Sequence, residues 1–440
     1  MKRFLDNAEK SSIIWKNKQY SYSWLYDRIN KFDNDDSFNE ISSGSVVAFK
    51  GDFTPNTIAL LFLLIKKRSI IVPLNNNINI NDQKFFDISQ VEYVCEINKE
   101  DSPSITKYSN SPNNKYYDII KKRKHPGLVL FTSGTSGEPK AAVHDFEILL
   151  KKFKTERSAL RTINFLLFDH WGGLNTMFHV LSNGGAVITA KDRSPNNVCR
   201  LIEMHSIELL PASPTFLNLL MISESYKEYD LSSLKIISYG TEPMTKGTLL
   251  RLKNTFPKVK LLQTYGLIEL GVLRSKSKSN DSLWVKIGGE GYSTRVRSGM
   301  LEIKADSAML GYLNAPSPFT YDGWFKTGDA VEVDGEYFKI LGRKSEIINV
   351  GGEKVYPQEV ENVIQEIDNV KDVLVFGKDN PIIGKMVYAK VQVDGNIDEK
   401  RLIKNIKEYC NQNLDRFKVP VKIIVDKEKQ YGYRFKKVRN

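Results

Sequence analysis

The chain has 440 residues, with 64 Lys and Arg against 52 Asp and Glu and a formal net charge of +12. Its hydrophobic content of 41% and charged content of 26% are globular values, which exclude a disordered chain, and its length predicts two or three domains. The positive residues are spread along the chain without an aromatic-spaced basic motif, so nucleic-acid binding is not expected.

The cysteines argue against a disulfide framework or a structural zinc site, because Cys95, Cys199 and Cys410 are far apart, odd in number and in no CxxC pair. The N-terminus has no apolar run of signal-peptide length, and the longest apolar run falls far short of the ~20 residues that span a bilayer. We therefore expect a cytoplasmic protein with no membrane contact.

Short runs rich in Val and Ile predict buried parallel strands in the first half of the chain, at residues 45–49, 69–74, 128–132, 186–190 and 234–240. Segments with helical periodicity lie between them, at residues 56–67, 195–205 and 245–256. This alternation predicts an α/β domain with right-handed crossovers. The polar segment 102–117 is interpreted as a surface connection.

The stretch LVLFTSGTSGEPKAAVHDF, residues 128–146, places Ser, Thr and Gly in one run directly after an apolar strand. Glycines permit positive φ and close approach of the backbone, so hydroxyl and amide groups can converge on an anion. Lys140 adds a positive charge at the strand's carboxyl edge, where open α/β folds bind ligands. Because GxxxxGK[ST] does not fit, the loop predicts phosphate binding of another type, with a flexible linker as the alternative.

From about residue 298 the pattern changes to shorter alternating runs, and the pairs Asp322-Gly323 and Asp334-Gly335 predict β-hairpins. Beyond Gly342, residues 355–367 with Pro357 in the first turn predict a helix, residues 370–379 a strand and residues 400–414 another helix. A second domain of roughly a hundred residues follows from this change.

The string TSGTSGEPK matches, position for position, the signature [ST]SG[ST][ST]GxPK of the acyl-adenylate-forming superfamily, which includes acyl-CoA synthetases, adenylation domains and luciferases. Later segments resemble the same family in the same order, over nearly the whole chain. The resemblance implies an α/β fold. A large N-terminal domain, residues 1–342, has parallel α/β subdomains and a β-rich subdomain, and a small mobile α+β domain, residues 343–440, follows a hinge near Ser345.

The resemblance also implies a nucleotide site. TSGTSGEPK supplies phosphate contacts, SYGTEPM lies along the adenine and the acid, and QTYGLIEL lies near the adenine or the α-phosphate. WFKTGD supplies the carboxylate for the ribose hydroxyls, and LGRKSEI brings an arginine near the ribose. The implied nucleotide-binding residues are Thr132, Ser133, Gly134, Thr135, Ser136, Gly137, Lys140, Gly240, Thr241, Glu242, Tyr265, Gly266, Asp329 and Arg343.

Other residues receive catalytic roles from the same resemblance. Glu269 is implied as a Mg²⁺ ligand, since a hard oxygen donor suits this ion. His170 lies in a segment similar to the HxGG of acyl-CoA synthetases, and the preceding Asp169 either binds a substrate amino group or caps the following helix.

The chain departs from the family pattern at two places. Ile268 stands where the family usually has a phosphate-contacting Thr, and Tyr433 follows Gly432 where the family has its catalytic lysine. The nearest candidates to replace this lysine are Lys436 and Lys437 downstream and Lys429 upstream, with Lys436 favoured.

Taken together, the resemblance implies an AMP-forming ligase that activates a small carboxylic acid with ATP and Mg²⁺ and passes the acyl group to a thiol. The acceptor is CoA or the phosphopantetheine of a carrier protein, with CoA favoured. One alternative is adenylation of an amino or hydroxy acid for a carrier protein. Another is a degenerate member that binds nucleotide without turnover.

Overall fold

The protein is described from a computed structural model, which covers residues 2–75, 82–108, 110–133, 138–393, 397–426 and 437. Its N-terminal part contains the strands β1 (Ser11–Trp15), β2 (Lys18–Ser21), β3 (Val46–Gly51), β4 (Ile70–Asn75), β5 (Tyr93–Ile97), β6 (Pro103–Lys107), β7 (Gly127–Ser133), β8 (Pro139–Asp145), β9 (Arg161–Asn164), β10 (Ala186–Thr189), β11 (Leu209–Ala212), β12 (Ile236–Tyr239) and β13 (Lys260–Gln263).

The helices of the same part are α1 (Lys2–Leu5), α2 (Tyr22–Asp33), α3 (Pro55–Lys66), α4 (Asp82–Ser89), α5 (Lys115–Arg123), α6 (Phe146–Leu150), α7 (Trp171–Ser182), α8 (Pro195–His205), α9 (Pro214–Ser223) and α10 (Lys246–Thr255). The strands and helices expected from apolar periodicity are confirmed, with bounds within two residues of the prediction.

These strands form two mostly parallel sheets. One has the order β13-β12-β11-β9-β10-β1-β2, and the other contains β8-β7-β4-β3-β5-β6. The largest hydrophobic core lies between the sheets and is filled by residues of α2, α3 and α7. Helix α3 is apolar on nearly all sides because it is buried in this layer, and Thr54 caps its N-terminus by accepting the Thr57 amide.

The polar segment 102–117 is more ordered than the prediction of a plain connection, which was wrong in part. Residues of β6 pair antiparallel with β5 at the edge of the sheet, and α5 begins at Lys115. Pro103 is the first residue of this edge strand, a position where a missing backbone N–H is tolerated.

The middle of the chain is mainly β, as predicted. Its strands are β14 (Gly266–Leu267), β15 (Gly271–Val272), β16 (Ser275–Ser277), β17 (Trp284–Ile287), β18 (Tyr292–Arg297), β19 (Met300–Ala305), β20 (Gly311–Tyr312), β21 (Phe325–Asp334) and β22 (Tyr337–Arg343). The antiparallel sheet has the order β16-β17-β22-β21-β19-β18, while β20 joins the edge of the second N-terminal sheet beside β8. The predicted hairpin at Asp334-Gly335 joins β21 to β22, and Gly335 has a φ of +57°.

The C-terminal part forms its own sheet from β23 (Ile348–Val350), β24 (Glu353–Val355), β25 (Val370–Asn380), β26 (Gly384–Val393) and β27 (Lys422–Val425), packed with α11 (Pro357–Ile364) and α12 (Glu399–Asn413). Its hydrophobic core contains residues of this part alone. Contacts with the large domain include the Gln358 side chain to the Met244 carbonyl at 2.6 Å and the Lys246 amide to the Asn362 side chain at 3.1 Å.

In the described part of the chain, every helix is too short or too polar to cross a bilayer. The three cysteines are free and buried.

Candidate active site

The predicted phosphate loop connects two paired strands. On either side of it, Thr132 of β7 lies opposite Lys140 of β8, and Ser133 lies opposite Pro139. The four residues at its tip, Gly134, Thr135, Ser136 and Gly137, lie outside the described residues, so their phosphate contacts stay a prediction. The Lys140 ammonium lies 5.8 Å from the centre of the Tyr312 ring, which places its charge next to β20.

The carboxylate expected to bind the ribose is held in a polar cluster. Asp329 is buried on β21, and its Oδ2 accepts a hydrogen bond of 2.5 Å from the Tyr265 hydroxyl. Its Oδ1 lies 3.3 Å from Nε of Arg343, which is its cross-strand partner on β22. Three predicted nucleotide-binding residues are thus brought together. Burial also raises the pKa of Tyr265 well above its usual value, so this phenol stays protonated and donates.

Burial raises the pKa of Asp329, while the Arg343 charge and the Tyr265 hydroxyl oppose that shift. The amide of Asp329 donates to the Thr327 hydroxyl at 3.0 Å, which fixes the residue locally. A carboxylate held in this way by a donor and a cation is fixed in position before a ligand arrives. Two acceptor oxygens on one rigid group suit a vicinal diol.

Glu269 is paired with a tyrosine of the middle, mainly β part of the chain. The Tyr312 hydroxyl donates to Glu269 Oε1 at 2.5 Å, and Tyr312 belongs to β20, which pairs with Ala142 and Val143 of β8. Among the described residues, nothing donates to Glu269 Oε2 in the hydrogen bonds observed.

This arrangement fits a magnesium ion bound together with phosphates. The described ranges contain no cluster of three or more metal-ligating side chains. Mg²⁺ in nucleotide sites is usually held by one or two carboxylates, the substrate phosphates and water, so one available carboxylate oxygen near Lys140 suffices. Glu269 stays the predicted ligand.

His170, and not Asp169, caps helix α7. The Gly172 amide donates to His170 Nδ1 at 3.0 Å, so in the neutral ring Nε2 carries the proton. The interpretation that Asp169 caps this helix is therefore wrong. The turn before α7 also explains Gly173, because a Cβ there would lie 2.2 Å from the Leu167 carbonyl oxygen.

A cavity, called here the α7 pocket, lies where three predicted segments meet. It has an empty volume of about 600 Å³, including space open to solvent. It is lined by Leu166, His170, Trp171, Gly172, Asn175, Thr176, Pro211, Ala212, Ser238, Gly240, Thr241, Thr264, Gly266, Leu267, Ile268 and Val272. The lining contains no carboxylate, and Ile268, the residue that replaces the family threonine, supplies part of its apolar wall.

The backbone approaches closely at the rim of this pocket. A Cβ at Gly240 would lie 2.5 Å from Thr264 Oγ1 and 2.7 Å from the Thr264 carbonyl oxygen. Thr241 has a φ of +74°, a strained conformation for a β-branched residue. Such strain is typical of functional sites, where the fold holds the backbone in an unfavourable shape.

Glu242 follows in sequence but contacts a different part of the molecule. Its Oε1 accepts the Thr215 amide at 2.8 Å at the start of α9, and its Oε2 accepts the Lys437 amide at 3.3 Å. The residue thus lies between the two domains and is absent from the lining of the α7 pocket.

The structure describes one of the two candidate lysines of the tail, Lys437. Lys436 lies outside the described residues. The Lys437 ammonium lies 3.2 Å from Asp372 and 3.7 Å from Glu361, two buried carboxylates of the small domain, and donates to the Val373 carbonyl at 2.5 Å. In this arrangement its charge is directed at these acids.

Three residues at the site were not predicted from the sequence: Tyr312, Asn175 and Thr264. Tyr312 could have been found because residues 299–314, GMLEIKADSAMLGYLN, resemble a family segment that ends in Gly-Tyr. The other two carry no local signal, because only the folded chain brings them to the pocket.

Comparison with known proteins identifies two matching family models. Residues 3–293 match the family model for AMP-binding enzymes, and residues 359–430 match that for the AMP-binding enzyme C-terminal domain. The 2-succinylbenzoate–CoA ligase of Listeria innocua is 25% identical over 451 aligned residues, which cover 96% of this chain and 94% of that protein. The indoleacetate–CoA ligase of Aromatoleum aromaticum is 24% identical over 473, covering 94% and 91%.

Among solved structures, the anthranilate CoA ligase AuaEII in complex with anthranoyl-AMP superposes with a TM-score of 0.81 at 17% identity, covering 99% of this chain and 94% of that one. The o-succinylbenzoate CoA synthetase of Bacillus subtilis superposes with a TM-score of 0.74 at 19% identity, covering 97% and 94%. The predicted fold, with a large N-terminal and a small C-terminal domain, is confirmed.

Proposed function

Because the chain belongs to the family of AMP-binding enzymes, we propose that it is an AMP-forming acid–CoA ligase. It activates a carboxylic acid with ATP as an acyl-adenylate and passes the acyl group to the thiol of CoA. The observation that carries the proposal is the continuity of two sites: Tyr265, which holds Asp329, lies between Thr264 and Gly266, which line the α7 pocket. A nucleotide held by Asp329 and an acid in the pocket would therefore meet at one segment.

In the first step, a carboxylate oxygen of the acid attacks the α-phosphorus of ATP, the bond to the pyrophosphate oxygen breaks, and pyrophosphate leaves. We assign phosphate binding to residues 132–137 and Lys140, and ribose binding to Asp329. A magnesium ion held by Glu269 would offset phosphate charge. Lys436 or Lys437 supplies positive charge where the transferring group becomes more negative.

In the second step, the thiol sulfur attacks the acyl carbon, AMP leaves with the bonding electrons, and the thiol proton goes to solvent or a nearby base. We place a hinge at Ser345, between a large domain of residues 1–342 and a small domain of residues 343–440. Ser345 lies in a short 3₁₀ turn, Lys344–Glu346, which separates β22 from β23, and such a connection can absorb a change of backbone angles.

We assign His170 a positioning role at the acid. It lines the α7 pocket, and the hydrogen bond from the Gly172 amide to its Nδ1 fixes the orientation of the ring there.

An amino acid is a weaker candidate for the substrate, because an α-ammonium group requires a carboxylate partner and none lines the α7 pocket. CoA is favoured as acceptor because the relatives described above are named as CoA ligases of 2-succinylbenzoate and indoleacetate. A carrier protein remains the competing acceptor.

Acid-dependent pyrophosphate release is the decisive measurement. Purified protein is mixed with Mg-ATP and a panel of aliphatic, aromatic and amino acids, with and without CoA. We expect release with at least one acid, and AMP and acyl-CoA in equal amounts when CoA is present. Binding of ATP without release for any acid would contradict the proposal and support the alternative of a nucleotide-binding protein without turnover.

A further inference from the structure

The side chain of Asn314 holds the backbone on both sides of Lys140. Its Nδ2 donates to the Pro139 carbonyl at 2.8 Å, and its Oδ1 accepts the Ala141 amide at 3.0 Å. Chemistry fixes the orientation of this side-chain amide, because a backbone carbonyl can only accept and a backbone N–H can only donate. The partners are 175 and 173 positions away in the chain, so only the fold brings them together.

These two hydrogen bonds extend a short strand pairing. β20 pairs with β8, and the Leu313 amide donates to the Ala141 carbonyl at 2.9 Å. β20 itself has two residues, Gly311–Tyr312. Beyond it, the Asn314 side chain takes the place of the peptide group that a longer strand would present to β8.

The contacts of Asn314 restrain both backbone dihedrals of Lys140. The Pro139 carbonyl belongs to the peptide group before Lys140, and the Ala141 amide belongs to the peptide group after it. Because peptide groups are planar, rotation about φ or ψ of Lys140 would turn one of them away from Asn314. On the other side of β8, Lys140 lies opposite Thr132 of β7. The backbone of the lysine is therefore held from two sides.

The exposure of Asn314 indicates that its contacts matter more for position than for stability. Since the residue is exposed, water competes for both backbone partners, and the net gain from each hydrogen bond is small. Separate water molecules would satisfy the same two groups. They would not fix the two groups relative to each other, whereas the donor and the acceptor of Asn314 belong to one planar amide.

The position of the Lys140 ammonium matters because an acid contacts the same tyrosine. The ammonium lies 5.8 Å from the centre of the Tyr312 ring, and the Tyr312 hydroxyl donates to Glu269 Oε1 at 2.5 Å. Within the described ranges, Lys140 and Glu269 form no ion pair with each other. This arrangement leaves the ammonium for an anionic ligand. A lysine that turned toward Glu269 would instead direct its charge at that carboxylate.

We propose that Asn314 is a positioning residue for the phosphate-binding lysine. It holds the backbone of Lys140 so that the ammonium stays beside Tyr312 and is directed at the phosphates of ATP instead of at Glu269. In this role Asn314 contacts no reacting atom and acts only through Lys140. The inference rests on the proposed function, in which Lys140 binds phosphate.

The chain offers a matched control in Asn280. Its Nδ2 donates to the Val259 carbonyl at 3.0 Å and its Oδ1 accepts the Leu261 amide at 3.2 Å, so it holds the two sides of Lys260 in the same way. Lys260 is an exposed residue at the start of β13, whereas Thr264, which lines the α7 pocket, follows the end of that strand. Asn280→Ala therefore removes the same kind of contact away from the site.

Calorimetric titration of the full chain with Mg-ATP and with adenosine tests the inference. Lys140→Ala should raise the dissociation constant for ATP by roughly ten- to a hundredfold, the range for a hydrogen bond to a charged group, and Asn314→Ala should raise it by roughly five- to thirtyfold. The affinity for adenosine, which has no phosphate, should stay within about twofold of normal in both variants. In pyrophosphate release, Asn314→Ala should raise KM for ATP and leave KM for the acid unchanged. Asn280→Ala should change none of these values.

A double-mutant cycle shows whether the effect passes through the lysine. In Lys140→Ala protein, adding Asn314→Ala should cause no further loss of ATP affinity, because the group that Asn314 positions has been removed. Asn314→Gln keeps the amide and adds one methylene, so it should cause a smaller loss. It replaces Asn314→Ala in the cycle if thermal unfolding shows that the alanine variant is not folded.

The outcomes separate this inference from the proposed function. Normal ATP affinity in folded Asn314 variants, an equal loss of affinity for adenosine, or an additive loss in the Lys140→Ala background would overturn the inference and leave the ligase reaction intact. Unchanged ATP affinity in Lys140→Ala would overturn the inference together with the assignment of this lysine to phosphate. No binding of ATP by the unmodified protein would refute the proposed function.

Discussion

Asp329→Asn should weaken ATP binding far more than it weakens folding. The substitution keeps the size of the side chain and replaces one carboxylate oxygen by an amide NH₂. In the present structure Oδ2 accepts from Tyr265 at 2.5 Å and Oδ1 faces Arg343 Nε at 3.3 Å. If the amide oxygen stays with Tyr265, the new NH₂ group faces the arginine, and two donors then confront each other.

The expected size of the effect follows from what the ribose loses. A hydrogen bond to a charged acceptor contributes about 1.5–3 kcal/mol, against about 0.5–1.5 kcal/mol for a neutral one. In Asp329→Asn both ribose hydroxyls lose a charged acceptor, and one of them loses its acceptor altogether. Together these losses correspond to about 2–4 kcal/mol of binding free energy. The dissociation constant for ATP should therefore rise by roughly thirtyfold to a thousandfold.

Calorimetric titration with ATP, or with a non-hydrolysable acyl-AMP mimic, measures this directly. Asp334→Asn is the matched control, because Asp334 lies at the exposed end of the same strand and pairs with Lys278. Thermal unfolding of both variants separates loss of binding from loss of structure. An unchanged affinity in folded Asp329→Asn protein would refute the assignment of this carboxylate to the ribose.

Three further predictions concern packing, pH and the tail. Gly173→Ala should destabilise the protein by about 1–3 kcal/mol in chemical denaturation, because the new Cβ would lie 2.2 Å from a backbone oxygen. The control Gly247→Ala should be neutral or slightly stabilising, because no described atom lies within 3.6 Å of its Cβ position. Burial lowers the pKa of His144 to about 4 from its usual 6.5. Its contribution to the free energy of unfolding is therefore complete above pH 6.5 and falls by roughly 3 kcal/mol as the pH drops to 4. The pH dependence of unfolding should be flatter in His144→Gln, and an equal pH dependence in both proteins would contradict this prediction. Lys436→Ala and Lys437→Ala, made singly, should differ in acid-dependent pyrophosphate release, with a loss of about a hundredfold or more in one of them, and normal rates in both would remove the tail lysines from the mechanism.

The sequence was informative wherever local chemistry decides the structure. The helix at Pro195–His205 was predicted with its observed ends from its periodicity, and in the structure Ser194 caps its start by accepting the Asn197 amide. The hairpin at Asp334-Gly335 followed from turn chemistry in the same way. Tyr265, Asp329 and Arg343 were identified by motif resemblance and lie in one cluster.

What could not be predicted depends on residues far apart in the chain. The Tyr312 hydroxyl reaches Glu269 only because β20 crosses to the edge strand β8. The cap of α7 was one of two roles considered for Asp169, yet the imidazole of His170 provides the acceptor.

The separate hydrophobic core of the small domain has a consequence for its motion. The observed links to the large domain include side chains that meet backbone groups, such as Gln358 with the Met244 carbonyl and Asn362 with the Lys246 amide. Water can replace each of these partners. Rotation of the small domain would therefore expose little hydrophobic surface and would exchange one set of hydrogen bonds for another. A rotation about the proposed hinge at Ser345 would therefore leave the hydrophobic core of the small domain intact.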